Sequence, residues 1–397
     1  MGMRSVDDLP NRRGWSGGKR LGRLLVMLLA TAVFLAAVGS ASAQVLRQRI
    51  VSTSGVPHGD VANLRRSPFW RPGMPIGLNP SWVEFLRTEI ADITRGADVV
   101  LHQGDQVEGR WGRDCEGRGV FGPVGTWAER VRALRLAGNI YYSRLKRFWG
   151  DRDVLFAMGD HEIGGINTTR IALPGTFTYR AHRYWNRVWH RQYGPSRYAS
   201  RRGRVGIITL DPIMKTPRGI VAKISDSDLD WTRDKIADWR RNGVKWFLVQ
   251  SEIPAIGPNR GVVSPGVLLA TSGVLLRNGA NVWRRFASMG VDLFLAAEFH
   301  NDTTHTQHGM TPVQVVHGGY HLRASWLVID EYEDHLQLTL KASRGSHVGD
   351  ETIWATGCIH RLQRHPRPGT PNVIGTMTIH ADGTTSDRTG RLREGIE

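Results

Sequence analysis

The sequence predicts an α/β fold built on a layered sheet core, and three observations carry that prediction. Apolar strand-like runs alternate with helical stretches as far as residue 296. A series of further strands comes next, without intervening helices. Four of the runs end in acidic residues or histidines, as expected where a sheet of this class presents a ligand site at the carboxyl ends of its strands.

Taken in order, Val45 to Val51 reads as the first strand, and 52–79 as a loop rich in Gly and Pro. Asn79 suits a helix cap with Pro80 at the first helical position, and Trp82, Phe85, Leu86 and Ile93 supply an apolar face. Gly96 closes that helix, and Val99 to Leu101 is a strand. A helical stretch over Ala128 to Phe148 precedes the strand Val154 to Met158. Residues 166–204, rich in Arg, Tyr and Trp, read as an insertion or a β-hairpin region. Val205 to Leu210 is a buried strand. Ser227 is expected to cap a helix bearing Leu229, Thr232, Ile236 and Trp239 on one face, with Gly243 as its stop. Next come the strand Lys245 to Val249, a Gly-rich loop over 257–280, a helix over Val282 to Met289 and the strand Val291 to Ala296. Val313 to Val316, Trp326 to Ile329 and Leu336 to Leu340 are the later strands. The last thirty or so residues are polar and read as a partly loose extension.

The N-terminus has the pattern of an export signal. Arg12, Arg13, Lys19, Arg20 and Arg23 precede the apolar run Leu24 to Val38, and Ala41-Ser42-Ala43 gives a cleavage pattern before Gln44. The run has 15 residues, about 22 Å as a helix, short of the ~30 Å hydrocarbon core. The alternative is an uncleaved membrane anchor over residues 24–46. A secreted or extracytoplasmic protein is expected, with the boundaries 1–43 signal, 44–345 main domain and 346–397 C-terminal extension.

Cys115 and Cys358 are the only cysteines among 397 residues. After export one disulfide is open to them, but two distant cysteines do not specify a pair. The formal net charge of +17 comes mostly from arginines that look scattered along the sequence. No nucleic-acid module pattern is present, so no specific nucleic-acid partner is expected.

Four segments carry metal-ligand chemistry at strand ends. They are Gly104-Asp105-Gln106-Val107-Glu108, Gly159-Asp160-His161-Glu162, Glu252-Ile253-Pro254 and Glu298-Phe299-His300. Glycine permits the tight turn that aims a carboxylate at a shared centre. Residues i and i+2 of an extended segment share a face, which places Glu298 and His300 together. Convergent carboxylates and imidazoles hold divalent cations. Each segment taken alone has a plainer reading as a strand-end turn or a solvated polar residue.

Together the four segments resemble the calcineurin-like metallophosphoesterase superfamily over roughly residues 48 to 345. The resemblance implies a four-layer α/β/β/α fold, one or two bound divalent ions and hydrolysis of a phosphate mono- or diester by a metal-bound water. It implies metal ligation by Asp105, Asp160, Glu252, Glu298 and His300, and contact of His161 with the phosphate or the leaving oxygen. Departures from the family pattern are clear. Glu108 stands where a second Asp is usual, Asp160 replaces an Asn, and Glu252 and Glu298 replace histidines. The first motif is missing, its place taken by Ser52-Thr53-Ser54-Gly55. Such a carboxylate-rich set favours Mg²⁺, Mn²⁺ or Ca²⁺ over zinc. His58 or His102 could supply the poorer metal position, but neither matches a family position, and each reads instead as an ordinary loop histidine.

The expected function is therefore that of an exported metal-dependent phosphoesterase acting on a phosphorylated substrate. The lost first motif motivates a rival, a catalytically impaired protein that keeps the fold as a binding module. A third reading is a basic secreted protein that binds anionic cell-surface polymers. Membrane association is expected only if the N-terminal segment stays uncleaved.

Overall fold

The computed structural model describes residues 44–54, 62–74, 76, 78, 80–106, 119–159, 162, 179–216, 219–257, 275–298, 302–317, 325–343 and 370–393. The regions 1–43 and 55–61, Glu108, Cys115, Asp160, His161, His300 and Cys358 lie outside them. Among the described residues, no helix is long and apolar enough to cross a membrane.

Strands β1 (Gln48–Thr53), β2 (Val99–His102) and β3 (Val154–Phe156) run parallel at one side of a seven-stranded sheet. β12 (Ser325–Glu331), β13 (His335–Ser343), β14 (Pro371–His380) and β15 (Thr385–Ser386) complete it in antiparallel fashion, in the order β15-β14-β13-β12-β1-β2-β3. The segment over 371–380, expected to be partly loose, is thus a ten-residue strand. Its alternating Met377 and Ile379 are buried in the core, a period-2 signal hidden by the polar residues around it.

A six-stranded sheet has the order β10-β11-β9-β8-β5-β4. Its members are β4 (Tyr198–Arg202), β5 (Val205–Thr209), β8 (Trp246–Gln250), β9 (Leu293–Ala296), β10 (Thr303–Gln307) and β11 (Met310–Val316). β5, β8, β9 and β11 are parallel neighbours in it. A small hairpin, β6 (Ile213–Thr216) with β7 (Gly219–Ala222), stands apart.

Strand alternation divides the apolar residues into two faces. Ile50, Val99 and Leu101 from the first sheet pack with Val205, Leu248 and Leu295 from the second, so the two sheets meet face to face. Val51, Val100 and Phe156 point the other way, toward the helices.

The helices are α1 (Pro80–Ile93), α2 (Trp127–Trp149), α3 (Tyr179–Tyr193), α4 (Asp226–Arg241) and α5 (Gly279–Met289). α2 begins with a capping box. The Thr126 hydroxyl accepts from the Glu129 N–H at 3.2 Å, and the Glu129 carboxylate accepts from the Thr126 N–H at 2.8 Å. In the stretch 166–204, read as an insertion or a β-hairpin region, the described residues form α3 and then β4, which makes an antiparallel hairpin with β5. Aromatic content favours a strand reading, but Val188, Trp189 and Tyr193 recur at helical spacing. Trp189 packs edge-on to Tyr142 of α2 at 5.7 Å. α4 is capped by Ser225, not Ser227. Only a cap at 225 places Asp228 at the third helical position, where its N–H donates to the Ser225 hydroxyl at 3.0 Å.

Asp292 ties β8 to β9 at the ends of the strands remote from the acidic segments. Its carboxylate accepts from the Phe247 N–H at 2.7 Å. Burial pushes this carboxyl up to about 7, against the opposing pull of that N–H and of Arg240. A folded-state value above the unfolded one contributes stability below the unfolded value and loses it as pH rises through about 7. Asp292→Asn keeps an acceptor for Phe247 and removes the charge. It should raise stability at pH 8, by up to about 4 kcal/mol, with the gain vanishing toward pH 4. Denaturant melts across that range check it. A gain independent of pH would assign the effect to packing.

Candidate metal centre

The acidic segments gather at the carboxyl ends of β2, β8 and β9. Backbone pairing continues past the strands and fixes the spacing of the turns beyond them. Ser251 N–H donates to the Leu295 carbonyl at 3.0 Å and Ala297 N–H to the Glu252 carbonyl at 2.7 Å, so Glu252 and Glu298 are set side by side. In the other sheet, Gln103 N–H donates to the Thr53 carbonyl at 2.9 Å and Ala157 N–H to the His102 carbonyl at 2.7 Å.

Asp105, Glu252 and Glu298 each offer a carboxylate oxygen, and these oxygens lie within 4.8 Å of one another. Asp105 and Glu252 are buried and Glu298 is half-buried. Two of the three sit in the left-handed backbone region, Asp105 at φ 54° and Glu298 at φ 66°. That conformation is uncommon outside glycine and is least unusual for Asp and Asn. Here it aims both carboxylates at one point. Gly104, at φ 88°, allows close approach, since a Cβ there would lie 2.8 Å from the backbone of Gly159 and 3.2 Å from Cβ of Glu252.

Glu162, named with its segment but given no role from the sequence, acts on the backbone. It is buried, and its two oxygens accept from three backbone donors. They are the Asp105 N–H at 2.9 Å, the Gln106 N–H at 2.6 Å and the Gly159 N–H at 2.6 Å. One side chain therefore locks the turn after β2 to the turn after β3. Burial pushes its carboxyl up to about 8, the Asp105 charge adds to this, and the three N–H donors act in the opposite sense. The one local signal for it is a Glu three residues beyond Gly159, in a turn that needs acceptors.

Two glutamines brace the carboxylates from beneath. Gln103 Nε2 donates to Gln250 Oε1 at 3.0 Å, and Gln250 Nε2 donates to Thr209 Oγ1 at 2.8 Å and to the Leu155 carbonyl at 3.1 Å. Each glutamine stands two residues before an acidic member, Asp105 or Glu252, and joins the two sheets under the site.

At the end of β1, the serines of the missing motif form a neutral network. Ser52 Oγ donates to Gln103 Oε1 at 2.9 Å and lies 2.7 Å from His317 Nε2, while Ser54 Oγ lies 3.3 Å from His317 Nδ1. Burial holds His317 down to about 4, against the opposing pull of Asp302. His102 is not a loop residue. It ends β2, is fully buried beside Trp149 and Phe156, and has no hydrogen-bond partner on either ring nitrogen. Burial first, and then His317, holds it down to about 3. Both rings are therefore neutral at physiological pH.

The structure thus brings Asp105, Glu252 and Glu298 together. Asp160, His161 and His300 lie outside the described residues. Three convergent, largely buried carboxylates fit a divalent cation of the Mg²⁺, Mn²⁺ or Ca²⁺ type, since oxygen donors suit a hard ion and its charge offsets their mutual repulsion.

No family model matches the chain. No curated protein matches it either. Solved structures do. The chain is similar to PhoD at TM-score 0.53 and 10% identity, over 89% of this chain and 73% of that one. It is similar to a purple acid phosphatase from yellow lupin (Lupinus luteus) seeds at TM-score 0.44 and 12% identity, over 74% and 51%. A dimetal phosphatase from Danio rerio matches at TM-score 0.43 and 12% identity, over 75% and 96%. The likeness to PhoD, together with the two large sheets and their helices, identifies the architecture. The chain has the calcineurin-like metallophosphoesterase fold, in a divergent form.

Proposed function

We propose that the chain is an exported metal-dependent phosphoesterase that hydrolyses a phosphate mono- or diester. The observation that carries this reading is the meeting of Asp105, Glu252 and Glu298 within 4.8 Å at the strand ends of this fold. A divalent ion bound there supplies Lewis acidity, lowering the pKa of water and polarising phosphoryl oxygens.

The chain's own residues do the rest. Asp105, Glu252 and Glu298 hold the ion, with Asp160 and His300 assigned to the same set by the family resemblance. Glu162 keeps the Asp105 turn in register with the turn that precedes Asp160 and His161. His161 is assigned to the phosphate or to protonation of the leaving oxygen. The glutamine pair holds the two sheets at fixed separation beneath the carboxylates.

A second reading has its own observation. Ser52, Ser54 and His317 fill the first-motif position with a buried neutral network rather than with an Asp and a His. That loss favours a binding protein on the same fold. Metal content and turnover separate the two. The phosphoesterase reading expects about one divalent ion per chain by elemental analysis. It also expects hydrolysis of p-nitrophenyl phosphate or its bis ester with Mg²⁺, Mn²⁺ or Ca²⁺, lost on chelation. Metal binding without turnover on either ester would favour the binding protein, and neither metal nor turnover would remove the site from the account.

A further inference from the structure

The arginines that look scattered in sequence are concentrated in the fold. α2 and α3, which pack on each other, carry ten Lys and Arg against one Glu, a net +9 of the chain's formal +17. α4, by contrast, balances five Asp with four Lys and Arg. One end of the basic layer meets the segment 62–74. Arg66 donates to Ser143 Oγ of α2 at 3.3 Å, next to Arg144 and one helical turn before Arg147. Arg87 of α1 belongs to the same group, and burial together with Arg87, Arg147 and Arg66 lowers the affinity of Arg144 for its proton. Arg87 also pairs with Glu84 at 3.8 Å, both side chains being well exposed, a contact of little energy in water.

Two exposed apolar side chains belong to the same stretch of chain as Arg66. Phe69 and Ile76 are 41% and 38% exposed. Both are tied to the backbone around Arg66: Leu64 N–H donates to the Ile76 carbonyl at 2.8 Å, and Phe69 N–H to Ser67 Oγ at 3.2 Å. Arg65 lies over the Trp70 ring at 5.6 Å. A soluble polyanion needs only the cations. A bilayer uses both kinds of group, with phosphate headgroups meeting arginine and aromatic or aliphatic tips entering the acyl boundary.

We propose that Arg66, Phe69 and Ile76, with Arg87, Arg144 and Arg147, dock on an anionic phospholipid bilayer surface. The surface includes no residue of the N-terminal apolar segment and is independent of the hydrolytic reading. The test is co-sedimentation of the full chain with phosphatidylcholine vesicles made with and without phosphatidylglycerol. The quantity read is the ratio of the two partition coefficients, so that insertion by the N-terminal segment is common to every variant. R66Q/R87Q/R147Q should lower the ratio roughly tenfold or more, and F69S/I76S about fivefold or more. All five residues are exposed, so the fold survives both sets of changes, and unaltered thermal midpoints confirm it. An unchanged ratio in either variant overturns the proposal. If F69S/I76S has no effect and soluble polyphosphate competes equally well with the vesicles, the surface serves a soluble polyanion instead.

Discussion

Asp105→Asn should abolish divalent-ion binding and lower ester hydrolysis by about 10³-fold, as expected when several kcal/mol of metal-centred stabilisation are lost. The same change should raise the melting temperature of the metal-free protein. Both expectations come from one geometry. Three carboxylate oxygens within 4.8 Å, largely out of water, repel one another when no cation lies between them. Removing one charge relieves that repulsion and removes a ligand. Asparagine is the right substitution because Asp105 sits at φ 54°, a conformation Asn tolerates and Ala does not favour. Thermal melts with and without Mn²⁺ read both effects. The wild-type protein gains stability with the ion by mass action, and the variant does not. Full activity in Asp105→Asn would exclude this carboxylate from the reaction.

Glu162→Ala should destabilise the protein by about 3 kcal/mol or more and disorganise the acidic site as well. Its carboxylate serves three buried N–H donors at 2.6 to 2.9 Å, on two separate turns. Alanine leaves all three without this acceptor. Relief of the burial cost and of the contact with Asp105, which together hold the Glu162 carboxyl up to about 8, works the other way, but it does not offset three lost hydrogen bonds to buried donors. Glu162→Gln keeps one acceptor oxygen and turns an amide N–H toward the remaining donors, so it should fall between wild type and alanine. Urea unfolding orders the three proteins. An alanine variant within about 0.5 kcal/mol of wild type, the range of ordinary surface changes, would show that these bonds do not hold the turns.

Much of the fold is legible in the sequence because burial leaves a simple trace. The apolar runs of β5, β8 and β9 are continuous because both faces are covered, and each is located to within a few residues. The acidic members Asp105, Glu252 and Glu298 stand out because each comes directly after such a run. α3 is hard to see in sequence because its aromatic residues favour a strand, and only contact with α2 reveals the helical spacing. β14 escapes it because polar outward residues mask Met377 and Ile379. The roles of Glu162, Gln103 and Gln250 depend on backbone groups and partners far away in the chain, such as Gln250 with Gln103. Nothing in the local sequence announces such pairs. The basic surface is likewise a product of folding, since residues 66, 87, 144 and 147 become neighbours only when α1 and α2 pack.

A titration of metal-stripped protein with Mn²⁺, read as bound ion per chain for the wild type and for Asp105→Asn, shows whether the acidic cluster is a metal centre. Saturable binding of about one ion in the wild type, lost in the variant, is the predicted result. Absence of saturable binding in the wild type, or equal binding in both proteins, would contradict it.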